Sequence, residues 1–453
     1  MQTAAKSENG EDIGLTAALA ADAANLKYED LSADAVTVAK QCLMDWLGVT
    51  IAGAEEPLTE ILRAEIEEQG GAPQASLIGG GKSSLVQAAL VNGAASHALD
   101  YDDVHTAMNG HPTVPVAPAV LALAEHTGAS GQDVITAFVA GVETECRLGL
   151  AMGPSHYGRG WHNTATYGTF AAAAASANLL RLDRARTAQA LGIAAAEAAG
   201  LKSMFGTMTK PLHAGNAAAN GLMAARLAAR GFTANPAAIE TEQGFATTQS
   251  DSFEPAAGFK VPDGGFHVRN TLFKYHAACY LTHSSLEACR LLREKDGVRP
   301  DDISEIRLRV NPGHFKVCNI PEPATGLEAK FSLRLTTAFG LAGEDTARLE
   351  TFSDAITARP DLVALRDKVD VVARETVEGM TSDVVVTLAD GRTVTESFDV
   401  SEPARDLDAQ WQRLDDKFRS LVEPRLGPDA TARLIAACHD LEHLNDISAI
   451  VAH

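Results

Sequence analysis

The apolar runs of this chain consist mostly of small side chains. Residues 166–180, 184–199 and 214–230 are rich in alanine, and small residues let the axes of neighbouring helices approach closely. Hydrophobic residues make up 46% of the 453 residues but aromatic residues only 5%, so a core must be built largely from alanine, leucine and valine. A chain of this length buries a large core and holds two or more domains. We therefore expect a mainly α fold of closely packed helices.

Successive helices are predicted from Ile13 to about Leu201, separated by glycine, proline and Ser/Asp caps. Three of them span 32–54, 115–126 and 130–146. Residues 1–11 are polar and acidic, and we predict that they form a disordered lead.

A second, smaller domain is predicted after a segment at 258–265 that contains glycine, proline and aspartate. Its predicted elements are helices at 277–292 and 327–342, strands at 305–310 and 369–373, and a hairpin over 383–398 that turns at Asp390-Gly391. After residue 406 the helical pattern returns, and we expect this tail to pack back onto the N-terminal helices. The predicted domains are a helical domain (12–265), an α+β lid domain (266–401) and C-terminal helices that complete the helical domain (402–453).

The formal net charge of −21 argues against binding to nucleic acid or to an anionic membrane surface. A small anionic substrate stays compatible with it, because a local cluster of lysine and histidine outweighs a distant negative surface that salt screens. The six cysteines are scattered without a CxxC pair, no secretory signal follows Met1, and no run approaches the length of a membrane span. These features predict a cytoplasmic protein with no membrane partner.

One polar stretch, Leu99–Pro112, separates two apolar helical runs. It places three carboxylates and two imidazoles close together in the chain: Asp100, Asp102, Asp103, His105 and His111. The preceding helix is predicted to begin with a capping box between Ser84 and Gln87. Asp100 then falls at the C-terminal end of that helix, where the helix dipole disfavours a carboxylate. An acid placed there at a cost indicates a functional site rather than a solvated loop.

Three further polar groupings contain a histidine or a lysine next to small residues. His162 lies in a Gly-rich connection, Lys210 lies just before a predicted helix start where backbone N–H groups attract anions, and His283 ends the segment Lys274–His283. Taken singly, each is more simply explained as a hydrogen-bonded core or surface residue. Together with Asp100 and His111, however, His162 and Lys210 fall at helix boundaries, where side chains from different helices converge. His283 is predicted within a helix, so its position supports it least.

Several stretches resemble the MmgE/PrpD family, which includes 2-methylcitrate dehydratase, cis-aconitate decarboxylase and iminodisuccinate epimerase. The resemblance runs nearly end to end, and the stretches that carry it are Val91–Asp103, His111-Pro112, Gly160-Trp-His162, Thr209–Gly215, Glu328–Leu333 and Lys417-Phe418. It implies a large, discontinuous helical domain, a smaller α+β lid domain and a homodimer. It also implies acid/base and carboxylate-binding roles for Asp100, His111, His162, Lys210 and His283, and it implies neither a metal nor an organic cofactor.

Two positions depart from the decarboxylase members of that family. By resemblance, those members have a hydroxyl side chain at the position of Val104. They also have a tyrosine at the position aligned with Leu335. Both positions are predicted to contact substrate, so the loss of two hydroxyl groups changes which substrate oxygens are satisfied. This departure makes cis-aconitate decarboxylation a less favoured prediction.

The chemistry that these residue types suit is proton transfer at a carbon next to a carboxylate. Such a carbon acid is weak, so it needs a positioned base and cations that face the developing enediolate. We hypothesise that Lys210 and one or two histidines hold carboxylates, and that His111 or His162 moves the proton. Asp100 then orients a histidine or acts as the second acid/base. From one enediolate, loss of a β-hydroxyl gives dehydration, and reprotonation from the opposite face gives epimerisation.

The main prediction is a cofactor-independent dehydratase or hydratase of a hydroxylated di- or tricarboxylate such as 2-methylcitrate. One alternative is an isomerase, epimerase or decarboxylase of a small iminodisuccinate- or cis-aconitate-like carboxylate, and another is a non-catalytic helical binding protein. The run Asp102-Asp103-Val-His105 is also similar to the magnesium-binding acidic motif of all-helical terpene synthases. The sequence shows no second motif of that kind, so this reading is a minor one.

Overall fold

The structure is a computed structural model that describes residues 14–374 and 379–451. The predicted disordered lead, residues 1–11, lies outside the described residues, as do residues 12–13 and 452–453 at the ends of the predicted domains. The fold is mainly α with small sheets and a smaller α+β part, which confirms the predicted fold class. Contacts divide the chain into unit 1 (Met1–Thr271 and Arg405–His453) and unit 2 (Leu272–Ala404). The domain limits at 265/266 and 401/402 stay predictions.

The first part of unit 1 consists of helices and one short hairpin. The helices are α1 (Leu15–Asn25), α2 (Ala33–Gly53), α3 (Pro57–Gln69), α4 (Leu85–His97), α5 (Thr113–Thr127), α6 (Gly131–Met152), α7 (Pro154–Gly158), α8 (Asn163–Leu179), α9 (Arg184–Glu197), α10 (Thr209–Ala229) and α11 (Phe245–Gln249). Two antiparallel strands, β1 (Ala75–Ser76) and β2 (Lys82–Ser83), join α3 to α4.

Small residues allow the helices of unit 1 to touch through their backbones. Every residue of α8 from Asn163 to Ala177 is buried, as expected for a helix surrounded by others. Where α4 crosses α10, a Cβ added to Gly93 would lie 2.8 Å from Gly215 Cα, and one added to Gly215 would lie 2.2 Å from the Leu90 carbonyl oxygen. Any larger side chain at these glycines would push the two helices apart.

Most predicted helix starts in unit 1 have the expected caps. Ser84 Oγ accepts a hydrogen bond from Gln87 N at 3.4 Å, but Gln87 Oε1 accepts from the Ser84 hydroxyl, so only half of the predicted capping box is formed. Ser130 and Asp133 form a reciprocal capping box at the start of α6. The predicted start of α10 is wrong: the helix begins at Thr209, so Lys210 lies in its first turn and not before it. Pro211 explains the earlier start, because a proline in the first helical turn removes an N–H that has no intrahelical partner.

Unit 2 is an α+β unit. Its helices are α12 (His283–Asp296), α13 (Gly326–Ala329), α14 (Leu333–Ala342), α15 (Asp354–Thr357) and α16 (Pro360–Arg366), and its strands are β3 (Ile303–Val310), β4 (Val369–Ala373), β5 (Thr381–Leu388) and β6 (Thr393–Asp399). The strand order is β4-β3-β5-β6, with β3 parallel to β4 and antiparallel to β5. The hairpin predicted at Asp390-Gly391 is present between β5 and β6, and Gly391 has the positive φ of 86° that its turn needs.

Two predicted helices of unit 2 differ from the structure. The helix predicted over 277–292 begins only at His283, because the N–H groups of Ala277 and Cys279 donate to the carbonyls of Thr346 and Lys330 instead of to a helical turn. His283 therefore lies at a helix start and not within a helix. The helix predicted over 327–342 is two helices, since Ser332 interrupts it and caps α14 by accepting from Leu335 N at 3.2 Å.

The C-terminal tail of unit 1 forms α17 (Leu407–Leu426), α18 (Pro428–His439) and α19 (Ser448–Val451). Helix α17 packs on α2, which confirms the expected return of the tail to the N-terminal helices. Leu414, Phe418 and Leu421 are its buried stripe. The six cysteines are free thiols, and within residues 14–374 and 379–451 no helix is both long enough and apolar enough to cross a membrane.

Candidate active site

The polar stretch between α4 and α5, residues 98–112, folds back on itself and is called the acid loop below. Asp100 has a φ of 51° and Asn109 a φ of 48°, so the chain turns through the left-handed region at both residues. Asparagine and aspartate visit this region more readily than most residues, although it still costs about 1–2 kcal/mol. His105 and Gly110 pair across the loop, with His105 N donating to the Gly110 carbonyl at 2.8 Å. The two turns place the side chains of Asp100 and Asp102 on histidines and a lysine of this unit.

Asp102 is the buried centre of the loop and connects two imidazoles. Its Oδ1 lies 2.9 Å from Nδ1 of His97, and its Oδ2 lies 2.7 Å from Nδ1 of His111. Burial opposes a charge on Asp102, but the two histidines outweigh it and hold its pKa well below the usual value. Burial lowers the pKa of His97 to about 4, so at neutral pH this ring is uncharged. Its Nε2 has no hydrogen-bond partner among the described residues, which leaves a proton-accepting position beside the loop.

Asp100 lies at the accessible edge of the same cluster. Its Oδ1 is 2.9 Å from Nζ of Lys210 and 3.7 Å from Nε2 of His111. The Asp100 side chain is 40% exposed, whereas those of His111 and Lys210 are 13% and 14% exposed. His111 Nδ1 is also 2.9 Å from the Asp103 carbonyl oxygen, so Nε2 is the ring nitrogen that faces Asp100. A carboxylate, an ammonium and an imidazole thus meet where a small molecule reaches them.

His162 lies next to this cluster, at the N-terminus of α8. The backbone N–H of His162 donates to the Gly200 carbonyl at 3.0 Å. Its Nδ1 is 3.1 Å from Nδ1 of His213, so one of these two rings donates a hydrogen bond to the other. Burial lowers the pKa of His162, and the nearby His97 and Lys210 lower it further. Phe205 covers one side, with its ring 5.0 Å from that of His162 and 5.5 Å from Lys210 Nζ. The site therefore combines neutral imidazoles with one edge of apolar surface.

The structure brings together Asp100, His111, His162 and Lys210, the four residues predicted from helix boundaries. His97, Asp102 and Phe205 complete the cluster and were not among the predicted site residues. His97 is the last residue of α4, so the helix-boundary criterion applied to the other four would have selected it as well. Asp102 was visible only as part of an acidic run, and Phe205 gave no signal beyond its position before α10.

The remaining predicted site residues are Val104 in unit 1 and His283 and Leu335 in unit 2. Val104 is half-buried within the acid loop. In unit 2, His283 is buried at the start of α12, with Nε2 3.2 Å from the Ala278 carbonyl oxygen. Leu335 is fully buried in α14 of the same unit. Their roles toward substrate stay predictions.

Asp103 faces away from the histidines, toward the start of α5. Its Oδ1 accepts from Thr113 N at 3.3 Å, and its Oδ2 accepts from the Thr113 hydroxyl. Burial raises the pKa of Asp103 to about 7, against the Thr113 hydrogen bonds, and the charges of Asp45 and Asp102 add to the increase. The acid run therefore holds an ionised Asp102 next to a carboxyl that gains a proton readily.

Among residues 14–374 and 379–451, two groups of side chains have the composition of a metal site. His97, Asp100, Asp102 and His111 each offer one ligand atom, and these atoms lie within 4.8 Å of one another. His105, Cys146 and His267 form a second group, of three residues within the same distance limit, in which His105 Nε2 already bonds the His267 carbonyl at 2.8 Å. Asp102 and Asp103 are each only 1% exposed and bonded to histidines and Thr113, an arrangement unlike an open magnesium-binding acidic motif.

Comparisons with known proteins identify similar chains over most of the sequence. A model of the MmgE/PrpD N-terminal domain matches residues 17–257, and one of the MmgE/PrpD C-terminal domain matches residues 276–442. A cis-aconitate decarboxylase of Homo sapiens is 30% identical over 381 aligned positions, which cover 80% of this chain and 78% of the relative. A cis-aconitate decarboxylase of Aspergillus terreus is 28% identical over 474 aligned positions, which cover 97% of this chain and 95% of the relative.

Proposed function

Because the chain belongs to the MmgE/PrpD family, we propose that it is a lyase of small di- or tricarboxylates that works by proton transfer next to a carboxylate. The main prediction from sequence was dehydration of a substrate such as 2-methylcitrate. The relatives instead favour decarboxylation of a cis-aconitate-like substrate. The observation that carries the proposal is the meeting of Lys210, Asp100 and His111 at a partly exposed carboxylate.

Lys210 is the carboxylate anchor in this proposal. Its ammonium is 2.9 Å from Asp100 Oδ1, a distance and geometry that an incoming substrate carboxylate would share. The side chain is largely withdrawn from solvent, so its charge is screened less than that of an exposed lysine. A developing enediolate next to it is stabilised by a charge already in place.

His111 is the proton carrier in this proposal. Asp102 and the Asp103 carbonyl hold its Nδ1, so its Nε2 faces Asp100 and the accessible edge of the cluster. An imidazole with one nitrogen fixed in this way offers the other for proton transfer, as a general acid or base needs. His162 and His97, whose pKa values burial lowers, supply neutral rings that accept hydrogen bonds or a proton from the reacting molecule.

Decarboxylation uses these groups as follows. The C–C bond to the departing carboxylate breaks, and CO₂ leaves without that electron pair. The pair delocalises toward a neighbouring carboxylate held by Lys210 and forms an enediolate, and a proton from a histidine then attaches to carbon. Phe205 beside His162 limits the water that reaches the carbanion-like intermediate from that side.

Dehydration is the second candidate, and Val104 is the observation that favours it. The valine offers no hydroxyl to a substrate oxygen at a half-buried position of the acid loop. In this version a histidine removes the α-proton and gives a proton to the β-hydroxyl, which leaves as water while the electron pair of the enediolate forms the C=C bond. A homodimer, a cytoplasmic location and the absence of a required cofactor complete the proposal as it follows from sequence.

Proton NMR in D₂O with EDTA-treated enzyme tests the reaction class. The panel is cis-aconitate, 2-methylcitrate, citrate, malate, tartrate and iminodisuccinate. Loss of CO₂ from cis-aconitate supports decarboxylation, new olefinic signals from a hydroxylated substrate support dehydration, and deuterium entry without either supports epimerisation. No change in any panel member contradicts the proposal and favours a binding protein.

Lys210→Ala tests the anchor. We expect turnover to fall by at least about 10³-fold with an unchanged melting temperature, because a largely buried charge that faces the developing enediolate is lost. Lys202→Ala is the matched control. Lys202 lies in the short 3₁₀ turn that precedes α10, and its Nζ bonds the Tyr157 carbonyl at 3.0 Å and not the acid loop. Equal activity of the two variants would remove Lys210 from the site.

A further inference from the structure

A buried lysine of the C-terminal tail contacts the backbone of the acid loop. Lys417 lies on α17 and is only 2% exposed. Its Nζ is 2.6 Å from Asp45 Oδ1 on α2 and donates to the Tyr101 carbonyl at 2.8 Å. The same ammonium lies 4.1 Å from the centroid of the fully buried Tyr101 ring. One side chain thus connects α2, the tail and the residue between Asp100 and Asp102.

Stability alone is a weak explanation for this buried ion pair. Removing an ammonium and a carboxylate from water is expensive, and well-packed apolar residues of similar volume are often as stable or more so. A buried charge pair is better justified where it holds one backbone conformation against others. The contact of Lys417 is with the backbone carbonyl of Tyr101, at the centre of the turn that begins with the left-handed Asp100.

We propose that Lys417 is a positioning residue for the active site, which it serves by fixing the Tyr101 carbonyl of the acid loop. This inference rests on the proposed function for its activity readout. With the Tyr101–Asp102 peptide plane held, Asp100 is directed to Lys210 on one side and Asp102 to His97 and His111 on the other. Without the ammonium, the Tyr101 carbonyl loses this hydrogen bond, and we expect both carboxylates to shift away from their partners.

A matched lysine in the same unit separates this role from simple stability. Lys40, on α2, also reaches the tail: its Nζ is 2.7 Å from both carboxylate oxygens of Glu442 and 2.8 Å from the His439 carbonyl. It is similarly buried, at 8% exposure, and like Lys417 it contacts one carboxylate and one backbone carbonyl. None of those bonds is to the acid loop. Lys40→Met therefore measures what the loss of a buried tail lysine does by itself.

The experiment compares the full-length variants Lys417→Met, Lys40→Met and Lys417→Met/Asp45→Asn. We expect the first two to lower the melting temperature, but only Lys417→Met to lower kcat, by about 10²-fold with little change in KM, since a displacement of about 1 Å at reacting groups has that effect. The double variant removes both buried charges, so it should recover melting temperature without recovering kcat. It also keeps the test valid if the single variant does not fold.

Two results would overturn the inference. One is a kcat of Lys417→Met equal to that of Lys40→Met, and the other is recovery of kcat together with stability in the double variant. A second readout does not depend on turnover: ¹H–¹⁵N spectra of the histidine rings should change for His97 and His111 in Lys417→Met and stay as in the wild type in Lys40→Met. If the wild type converts no panel substrate, the proposed function fails, and unchanged ring spectra would still refute the role of Lys417 separately.

Discussion

Asp103 gives the sharpest test of the electrostatics of the acid loop. Its folded-state pKa of about 7 lies above the ordinary 3.8 of an aspartate. Below about pH 4 the carboxyl is protonated in both states and contributes nothing against folding. Between pH 4 and 7 the unfolded chain loses this proton while the folded one keeps it, so the free energy of unfolding falls as pH rises. Above pH 7 the loss is complete.

The size of this loss follows from the two pKa values. A change from 3.8 to about 7 corresponds to about 4 kcal/mol, at about 1.4 kcal/mol per pH unit. Asp103→Asn mimics the protonated carboxyl and does not titrate. We expect the free energy of unfolding of the variant, relative to that of the wild type, to rise by about 4 kcal/mol between pH 4 and pH 8. Most of this rise should occur between pH 4 and 7.

Urea unfolding followed by tryptophan fluorescence measures this difference in the correct part of the molecule. All three tryptophans, Trp46, Trp161 and Trp411, belong to unit 1, as does the acid loop. Asp183→Asn is the control, because Asp183 is an exposed helix cap and asparagine caps helices equally well. Parallel pH curves for the wild type and Asp103→Asn would refute the reasoning and place the titrating proton elsewhere.

Three other predictions concern the site and the helices behind it. Asp102→Asn should lower kcat by about 10²–10⁴-fold, because His111 loses the carboxylate that fixes its ring, and a steady-state assay that finds less than a threefold change contradicts this. Gly215→Ala should lower the melting temperature by about 5 °C or more through its clash with the Leu90 carbonyl, while Gly158→Ala, whose Cβ meets nothing within 4 Å, should not. Val104→Thr should raise the ratio of decarboxylation to dehydration about tenfold by adding one hydrogen bond to a charged substrate, as measured by NMR of product mixtures.

The architecture was largely predictable because local signals and packing agree. Strand β4 lies at the predicted residues 369–373, and α2 ends within one residue of its predicted limits. Periodicity failed where tertiary hydrogen bonds competed with the helix, as at Cys279, whose N–H donates to Lys330. Sequence pattern contains no information about that competition.

The site was predictable as a set of residues but not as a network. Helix boundaries identified Asp100, His111, His162 and Lys210, since functional side chains from separate helices meet at their ends. The pairing of Asp102 with His97 depends on the left-handed turn at Asp100. Sequence does not predict such a turn at a residue other than glycine. The contact of Lys417 with Tyr101 spans 316 positions of sequence, and nothing local connects the two.

The backbone contact between α4 and α10 has a consequence for how this protein and its relatives diverge. Helix α10 carries Lys210 and α4 leads directly into the acid loop, so the crossing at Gly93 and Gly215 sets how far the ammonium lies from the carboxylates. The helices meet there through the backbone of the two glycines. A substitution at either glycine therefore adds a side chain that disrupts the crossing and cannot adjust it gradually. We expect the spacing of charges to be inherited unchanged, and changes of reaction to arise from replaceable residues at the edge, such as Val104.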